Sequence, residues 1–148
     1  MILAIQRVSR ASVRVAGERV GEIGKGLLVF ACVEPDDDAA SVDLAAKKTA
    51  ELRVFGDENG KMNRDVAEAG GAILAVSQFT LGADLSRGRR PGFEGAAKPE
   101  VAEPLFDLFV ATLKAYGLKV ATGRFRAMME VELVNDGPAT FVWRTKRS

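Results

Sequence analysis

The spacing of apolar and polar positions changes several times along the chain, and each change predicts an element. Residues 2–8 are rich in β-formers, and Ser12-Val13-Arg14-Val15 alternates polar and apolar with period two, the pattern of a half-buried strand. Ala16-Gly17-Glu18 reads as a turn, Val20 and Ile23 continue a short strand, and Gly24-Lys25-Gly26 turns again. Residues 27–33 are apolar at every position, which predicts a central strand covered on both faces. Asp36-Asp37-Asp38 then precedes a stripe of Ala39, Val42, Leu44, Ala45, Ala46, Thr49 and Leu52 at helical spacing. An Asp at the start of a helix caps it and suits its positive end, so capping explains the acidic run without a metal.

Residues 52–55 are expected to be extended, ahead of the turn cluster Gly56-Asp57-Glu58-Asn59-Gly60, and Ala69-Gly70-Gly71 is a further turn. Residues 72–76 form a second all-apolar strand that ends in Ser77-Gln78-Phe79-Thr80. Residues 82–98 make a long loop with four Gly, Pro91 and the cluster Arg87, Arg89 and Arg90; loops of this length in small domains are usually functional or disordered. Pro99 fits the first turn of a second helix. Its expected buried face is Leu105, Phe106, Leu108, Phe109, Leu113 and Tyr116, with Gly117 at the C-terminal cap; Pro104 predicts a later start or a bend. Three extended segments follow, at 118–121, 128–134 and 139–144, with Asn135-Asp136-Gly137-Pro138 as the turn between the last two. The order predicts an α+β class, one domain over residues 1–148, with helices against one face of a curved sheet.

Composition narrows the chemistry. The chain has no His and a single Cys, Cys32. That excludes a Ser-His-Asp or Cys-His triad, a His-ligated metal, an imidazole base and an internal disulfide. An enzyme here must use hydroxyls, carboxylates, amines, backbone dipoles or groups on its substrate. Lys and Arg number 21 against 20 Asp and Glu, a net charge of +1, which is low for a protein that coats nucleic acid. The longest apolar run, residues 26–33, is far short of the ~20 residues that cross a bilayer. The first residues lack the order of a signal peptide, so a reducing, cytoplasmic setting is expected.

Two segments carry candidate chemistry. In Ser77-Gln78-Phe79-Thr80-Leu81 polar side chains bunch where a buried strand leaves the sheet. The hydroxyls are possible nucleophiles, and backbone N–H groups freed from the ladder could form an oxyanion hole; the plain alternative is that Ser and Thr satisfy the strand's end. In Asn135-Asp136-Gly137-Pro138-Ala139-Thr140 an Asx residue followed by Gly-Pro makes a tight turn, whose plain reading is an ordinary hairpin.

Together these segments closely resemble the two signature motifs of the bacterial D-aminoacyl-tRNA deacylases. The resemblance covers nearly the whole chain, through Gln6-Arg7-Val8, Arg10-Ala11-Ser12-Val13, residues 24–33, Gly60-Lys61-Met62-Asn63, Arg87-Gly88 with Arg90-Pro91, and Thr122-Gly123-Arg124-Phe125. The departures are Ala139, where the family often has Val, and Pro104. The resemblance implies a barrel-like arrangement of curved mixed sheets with two main helices on one face. It also implies hydrolysis of the ester between a D-amino acid, or glycine, and the terminal adenosine of tRNA, by a homodimer with a site at each side of the subunit interface.

By that resemblance Ser77, Gln78, Phe79 and Thr80 are catalytic. A cis Gly137-Pro138 dipeptide reaches into the partner's site and rejects L-amino acids, Arg7 supports its loop, and Met129 lies at the pocket or interface with Phe125 and Met128, for which core packing reads equally well. Arg87, Arg89 and Arg90 are candidate contacts to tRNA phosphates, whereas Arg144, Lys146 and Arg147 read better as a solvated tail. No metal, cofactor, membrane or DNA is implied. Two mechanisms stay open: Thr80 Oγ1 as nucleophile, or assistance from the 2′-hydroxyl of the terminal ribose with backbone N–H groups holding the oxyanion. Two other functions also stay open, a non-catalytic RNA-binding or dimerisation module and a small-ester hydrolase with a Thr nucleophile.

Overall fold

Ala16 and Gly17 both take positive φ, 51° and 79°, so the first strand turns back through a two-residue hairpin whose handedness follows strand twist. The computed structural model describes residues 1–145; Lys146 and Arg147 of the basic tail lie outside them. In chain order the elements are β1 (Ile2–Val15), β2 (Glu18–Ile23), β3 (Gly26–Cys32), α1 (Ala39–Glu51), β4 (Phe55–Gly56), β5 (Met62–Arg64) and β6 (Ala72–Ser77). A 3₁₀ turn (Phe79–Gly82), α2 (Pro99–Ala115), β7 (Val120–Thr122) and β8 (Glu130–Arg144) follow.

The main sheet has the order β2-β1-β3-β6-β7, with β8 also paired to β1. β1 is antiparallel to β2, β3 and β8, whereas β3–β6 and β6–β7 are parallel. A parallel step needs a crossover, and α1 and α2 supply the two. β1 is long enough to pair with β3 over its first half and β2 over its second, which curls the sheet. Closure is nearly complete where β2 meets β7: a Cβ on Gly21 would lie 2.2 Å from the Thr122 carbonyl oxygen, so glycine permits the approach.

The two-sided apolar strands separate two cores, as their unbroken hydrophobic runs predict. Leu27, Val29, Ile73 and Ala75 face both helices, against Val42, Ala46, Phe106 and Phe109. Leu28, Leu74 and Val76 point the other way and meet Val8, Val13 and Ile23 inside the curl. The predicted α+β class and the two helices on one face are what the fold shows.

Several local expectations are corrected. Residues 2–8 and 12–15 belong to one 14-residue strand. Residues 128–134 and 139–144 are not two strands around a hairpin: β8 is one strand, and Asn135-Asp136-Gly137-Pro138 is a bulge within it, because both halves pair with the same long β1. Of residues 52–55 only Phe55 enters a ladder, with Gly56. Leu44, Leu108 and Tyr116 are exposed, since the helical stripe that reaches the core is narrower than the apolar stripe in the sequence. Pro104 neither delays nor ends α2, which starts at Pro99. Pro104 and Glu100 both lie on the exposed side, where water can meet the carbonyl the proline leaves unbonded.

The acidic run divides its labour. Asp38 alone is the cap, in a capping box with Ser41, its carboxylate accepting from Ser41 N at 3.0 Å. Asp37 is buried and accepts from the Met1 ammonium at 2.8 Å, and Glu34 pairs with the same ammonium at 3.3 Å and with Arg144. Arg144 is therefore held by a carboxylate rather than offered to a phosphate. Burial alone would raise the Glu34 carboxyl, but the hydrogen bond from Arg144 and the ammonium charge outweigh it and hold the pKa below the ordinary value. The sign follows: Glu34 stabilises the fold fully above the ordinary carboxylate pKa of ~4.3, and that contribution is lost as pH falls below it. Glu34→Gln is expected to lower Tm near neutral pH and to flatten its fall in acid, read from thermal melts across pH. Parallel acid limbs in the two proteins would contradict this assignment.

Candidate active site

Ser77 ends β6 opposite Ala31 of β3, and the Gln78 N–H gives the last bond of that register, 2.8 Å to the Ala31 carbonyl. The chain then tightens into the 3₁₀ turn, so the N–H groups of Phe79 and Thr80 are first-turn donors. No side chain caps this turn, and neither N–H has a backbone acceptor among the described residues. The Phe79 carbonyl is anchored from below by the buried Cys32, whose sulfur lies 3.6 Å away. Burial pushes the Cys32 thiol up, which keeps it protonated and a donor. The Thr80 hydroxyl accepts from the side-chain amide of Gln78, a group with no capacity to take a proton.

A cavity of about 610 Å³ opens beside the turn. Ser77, Gln78 and Phe79 form one wall, Phe93 and residues 96–99 a second, and residues 125–129 the third. The Phe79 and Phe93 rings meet edge to face with centroids 5.3 Å apart. The lining is mostly apolar with a few polar groups, the usual make-up of a small-molecule pocket. Met129 lines it, and its sulfur would sit 2.7 Å from a Cβ on Gly123, so glycine there leaves room for this methionine. Phe125 and Met128 line it too, Met128 with 91% exposure, which removes it from the core. Thr80 is exposed at the rim and does not line the cavity. Phe93, Lys98 and Arg126 line it and were not singled out from sequence; Phe93, the one aromatic in a polar Gly-rich loop, was the available signal.

Arg7, Gly137 and Pro138 form a separate cluster at the β1–β8 bulge. Gln6 pairs with Thr140 and Val8 with Asn135, so residues 136–139 stand opposite Arg7 alone. Arg7 fills that gap: its Nε donates 3.0 Å to the Asp136 carbonyl and lies 3.2 Å from the Asp136 carboxylate, while a terminal nitrogen donates 2.6 Å to the Val54 carbonyl. The Gly137-Pro138 bond is cis and both residues are exposed.

The loop over residues 82–98 is a hairpin. Asp84 and Gly92 exchange backbone bonds of 2.7 and 2.9 Å, and Ser86 donates through both its hydroxyl and its N–H to the Asp84 carboxylate, holding that group below its ordinary pKa. Arg87, Arg89 and Arg90 are exposed at its tip. Among the described residues no helix is long and apolar enough to cross a membrane, and no cluster of three ligating side chains could hold a metal.

Residues 4–144 match the family described as D-Tyr-tRNA(Tyr) deacylase. The chain is 62% identical over 138 residues to the D-aminoacyl-tRNA deacylase of Symbiobacterium thermophilum, covering 93% of this chain and 91% of that one. It is 57% identical to the D-aminoacyl-tRNA deacylase of Aeromonas hydrophila, over 95% of this chain and 97% of that one. A solved structure titled c-Myc DNA Unwinding Element Binding Protein superposes with a TM-score of 0.93 at 36% identity, over 99% of this chain and 100% of the other. A probable eukaryotic D-amino acid tRNA deacylase superposes at 0.82 with 17% identity, over 96% and 97%, a likeness of fold. With the uncapped Phe79–Thr80 turn beside an apolar pocket, and with identity this high over nearly the full length, the chain belongs to the D-Tyr-tRNA(Tyr) deacylase family.

Proposed function

We propose that this protein hydrolyses the ester joining a D-amino acid, or glycine, to the 3′-terminal adenosine of tRNA, in the cytoplasm, and rejects L-aminoacyl-tRNA. The observation that carries the reading is the strand end at residues 77–80. It offers two backbone donors with no backbone acceptor among the described residues, beside a pocket, in a chain of this family. Water adds to the ester carbonyl, the bond to the ribose oxygen breaks, and the proton from water ends on that oxygen, helped by the adjacent 2′-hydroxyl. The N–H groups of Phe79 and Thr80 hold the developing oxyanion.

The bond from Gln78 favours this route over an acyl-enzyme: it occupies an acceptor lone pair of the Thr80 hydroxyl and takes no proton away. Thr80→Ala is accordingly expected to keep kcat within about tenfold of wild type, the size of one lost hydrogen bond. Near-total loss with fold and tRNA binding intact would favour a Thr nucleophile instead.

Selectivity rests on two copies. Within one chain the Gly137-Pro138 bulge and the pocket are separate and both are exposed, the arrangement a cross-subunit site requires. In a homodimer the bulge of one subunit brings backbone carbonyls to the partner's pocket, where an L side chain clashes and a D-amino acid or glycine fits. Arg87, Arg89 and Arg90 then take the phosphates of the acceptor end without reading sequence. The deciding experiment follows ester loss from matched D- and L-aminoacyl-tRNA. Cleavage of the D-ester alone is expected; no cleavage above buffer favours a binding module, and equal cleavage of both removes the chiral reading.

A further inference from the structure

The bulge that carries Gly137 and Pro138 interrupts the β1–β8 ladder, and an interrupted ladder leaves carbonyls without partners. One side chain meets two of them. Asn135 Nδ2 donates 2.9 Å to the Arg7 carbonyl on β1 and 3.2 Å to the Ala139 carbonyl beyond the bulge. The two acceptors lie on either side of the loop's base, so a single amide ties the strand before the bulge, the strand after it and the neighbouring strand together. Asn135 also accounts for the residue at 137. Gly137 is not at positive φ, so its backbone conformation does not demand glycine. A Cβ there would lie 3.0 Å from Asn135 Oδ1, tighter than nine in ten real contacts, so the amide would have to give by a few tenths of an ångström. The amide thus fixes the bulge with its nitrogen and crowds any side chain at its tip with its oxygen.

We propose that Asn135 is a positioning residue for chiral rejection, holding the residue 137–138 carbonyls at the separation from the substrate's α-carbon that excludes an L side chain. This rests on the selectivity reading above. Arg7 ties the bulge from the side, through Asp136 and Val54, and does not replace the bond across its base. Water can meet the Arg7 carbonyl when the amide is gone, because that bond is exposed, but water does not set the spacing between it and the part-buried Ala139 carbonyl.

The test uses the full-length wild type, Asn135→Asp and Asn135→Ser, assayed with matched D- and L-aminoacyl-tRNA. Asp has the shape of Asn and no donor when ionised; Ser has one donor hydrogen. The ratio of L- to D-ester cleavage is expected to rise about tenfold in Asn135→Asp and less in Asn135→Ser, while kcat on the D-ester stays within a few-fold. Gly137→Ala should raise the same ratio in the wild-type background and add little in Asn135→Ser, whose shorter side chain removes the contact. A selective wild type with unchanged ratios in both Asn135 variants overturns the proposal alone. An unselective wild type overturns the reading beneath it. Loss of fold in both variants, seen by circular dichroism, makes Asn135 purely structural and also overturns the proposal.

Discussion

Phe79→Pro is expected to lower kcat for D-aminoacyl-tRNA by about 10²–10³-fold relative to Phe79→Ala, the usual cost of one lost oxyanion donor. The pair separates backbone from side chain. Both variants lose the ring and its contact with Phe93, and only proline also loses the N–H. The site tolerates proline. Phe79 is the first residue of the turn, where proline's φ fits and no backbone acceptor is surrendered. The preceding Gln78 sits at φ −138°, ψ 82°, already outside the helical region that a following proline forbids. Equal kcat for the two variants, measured in steady-state assays with aminoacyl-tRNA in excess of KM, would remove the Phe79 N–H from the mechanism. If both then fall equally below wild type, the loss belongs to the ring and its packing on the pocket wall.

Gly26→Ala is expected to destabilise the protein by more than about 4 kcal/mol, a large share of the roughly 5–15 kcal/mol by which native domains are stable. Gly26 opens β3 opposite Ala72 of β6, and a Cβ there would lie 1.8 Å from the Ala72 carbonyl oxygen and 2.8 Å from its carbonyl carbon and nitrogen. All three are backbone atoms, so no side chain can swing aside. The Ala72 N–H is itself bonded to the Lys25 carbonyl at 3.0 Å, which locks the approach from the other direction. Separating β6 from β3 also removes the strand that delivers Ser77 and Gln78. A urea midpoint within 1 M of wild type would show that β6 can shift away and would refute the expectation. By contrast a Cβ at Gly24 meets nothing within 4 Å, so Gly24→Ala is the matched control two residues away.

The contrast between those two glycines shows where legibility ended. Gly24 and Gly26 look alike in the sequence, as two members of one turn, and only the partner strand distinguishes them. The same limit applies to Asn135-Asp136-Gly137-Pro138. Local chemistry reads it as a hairpin turn, because Asx, Gly and Pro favour turns wherever they occur. The long β1 makes it a bulge, since residues on both sides find partners on the same strand. Leu44 and Tyr116 failed for a related reason: helical period predicts which residues share a face, and it says nothing of how wide a face the rest of the molecule covers.

The chain's own pattern determined the two fully apolar strands β3 and β6, an aspartate cap ahead of α1, a second helix beginning near Pro99, and the α+β class. Each depends on neighbours within a few residues or on unbroken hydrophobicity, which burial on both faces enforces. The missing histidine, too, was legible at once and excluded an imidazole base before any geometry was known. The tertiary structure decided what distance in sequence conceals. It placed Phe93 and Lys98 on the same pocket as Gln78 and Met129, latched Arg7 across to Asp136, and joined Asn135 to Arg7 and Ala139. It also set two adjacent aspartates to different tasks, Asp38 to a helix cap and Asp37 to a buried ion pair. Those relations are set by which strands lie side by side, and hydrogen-bond register between segments more than a hundred residues apart leaves no periodic trace in either one.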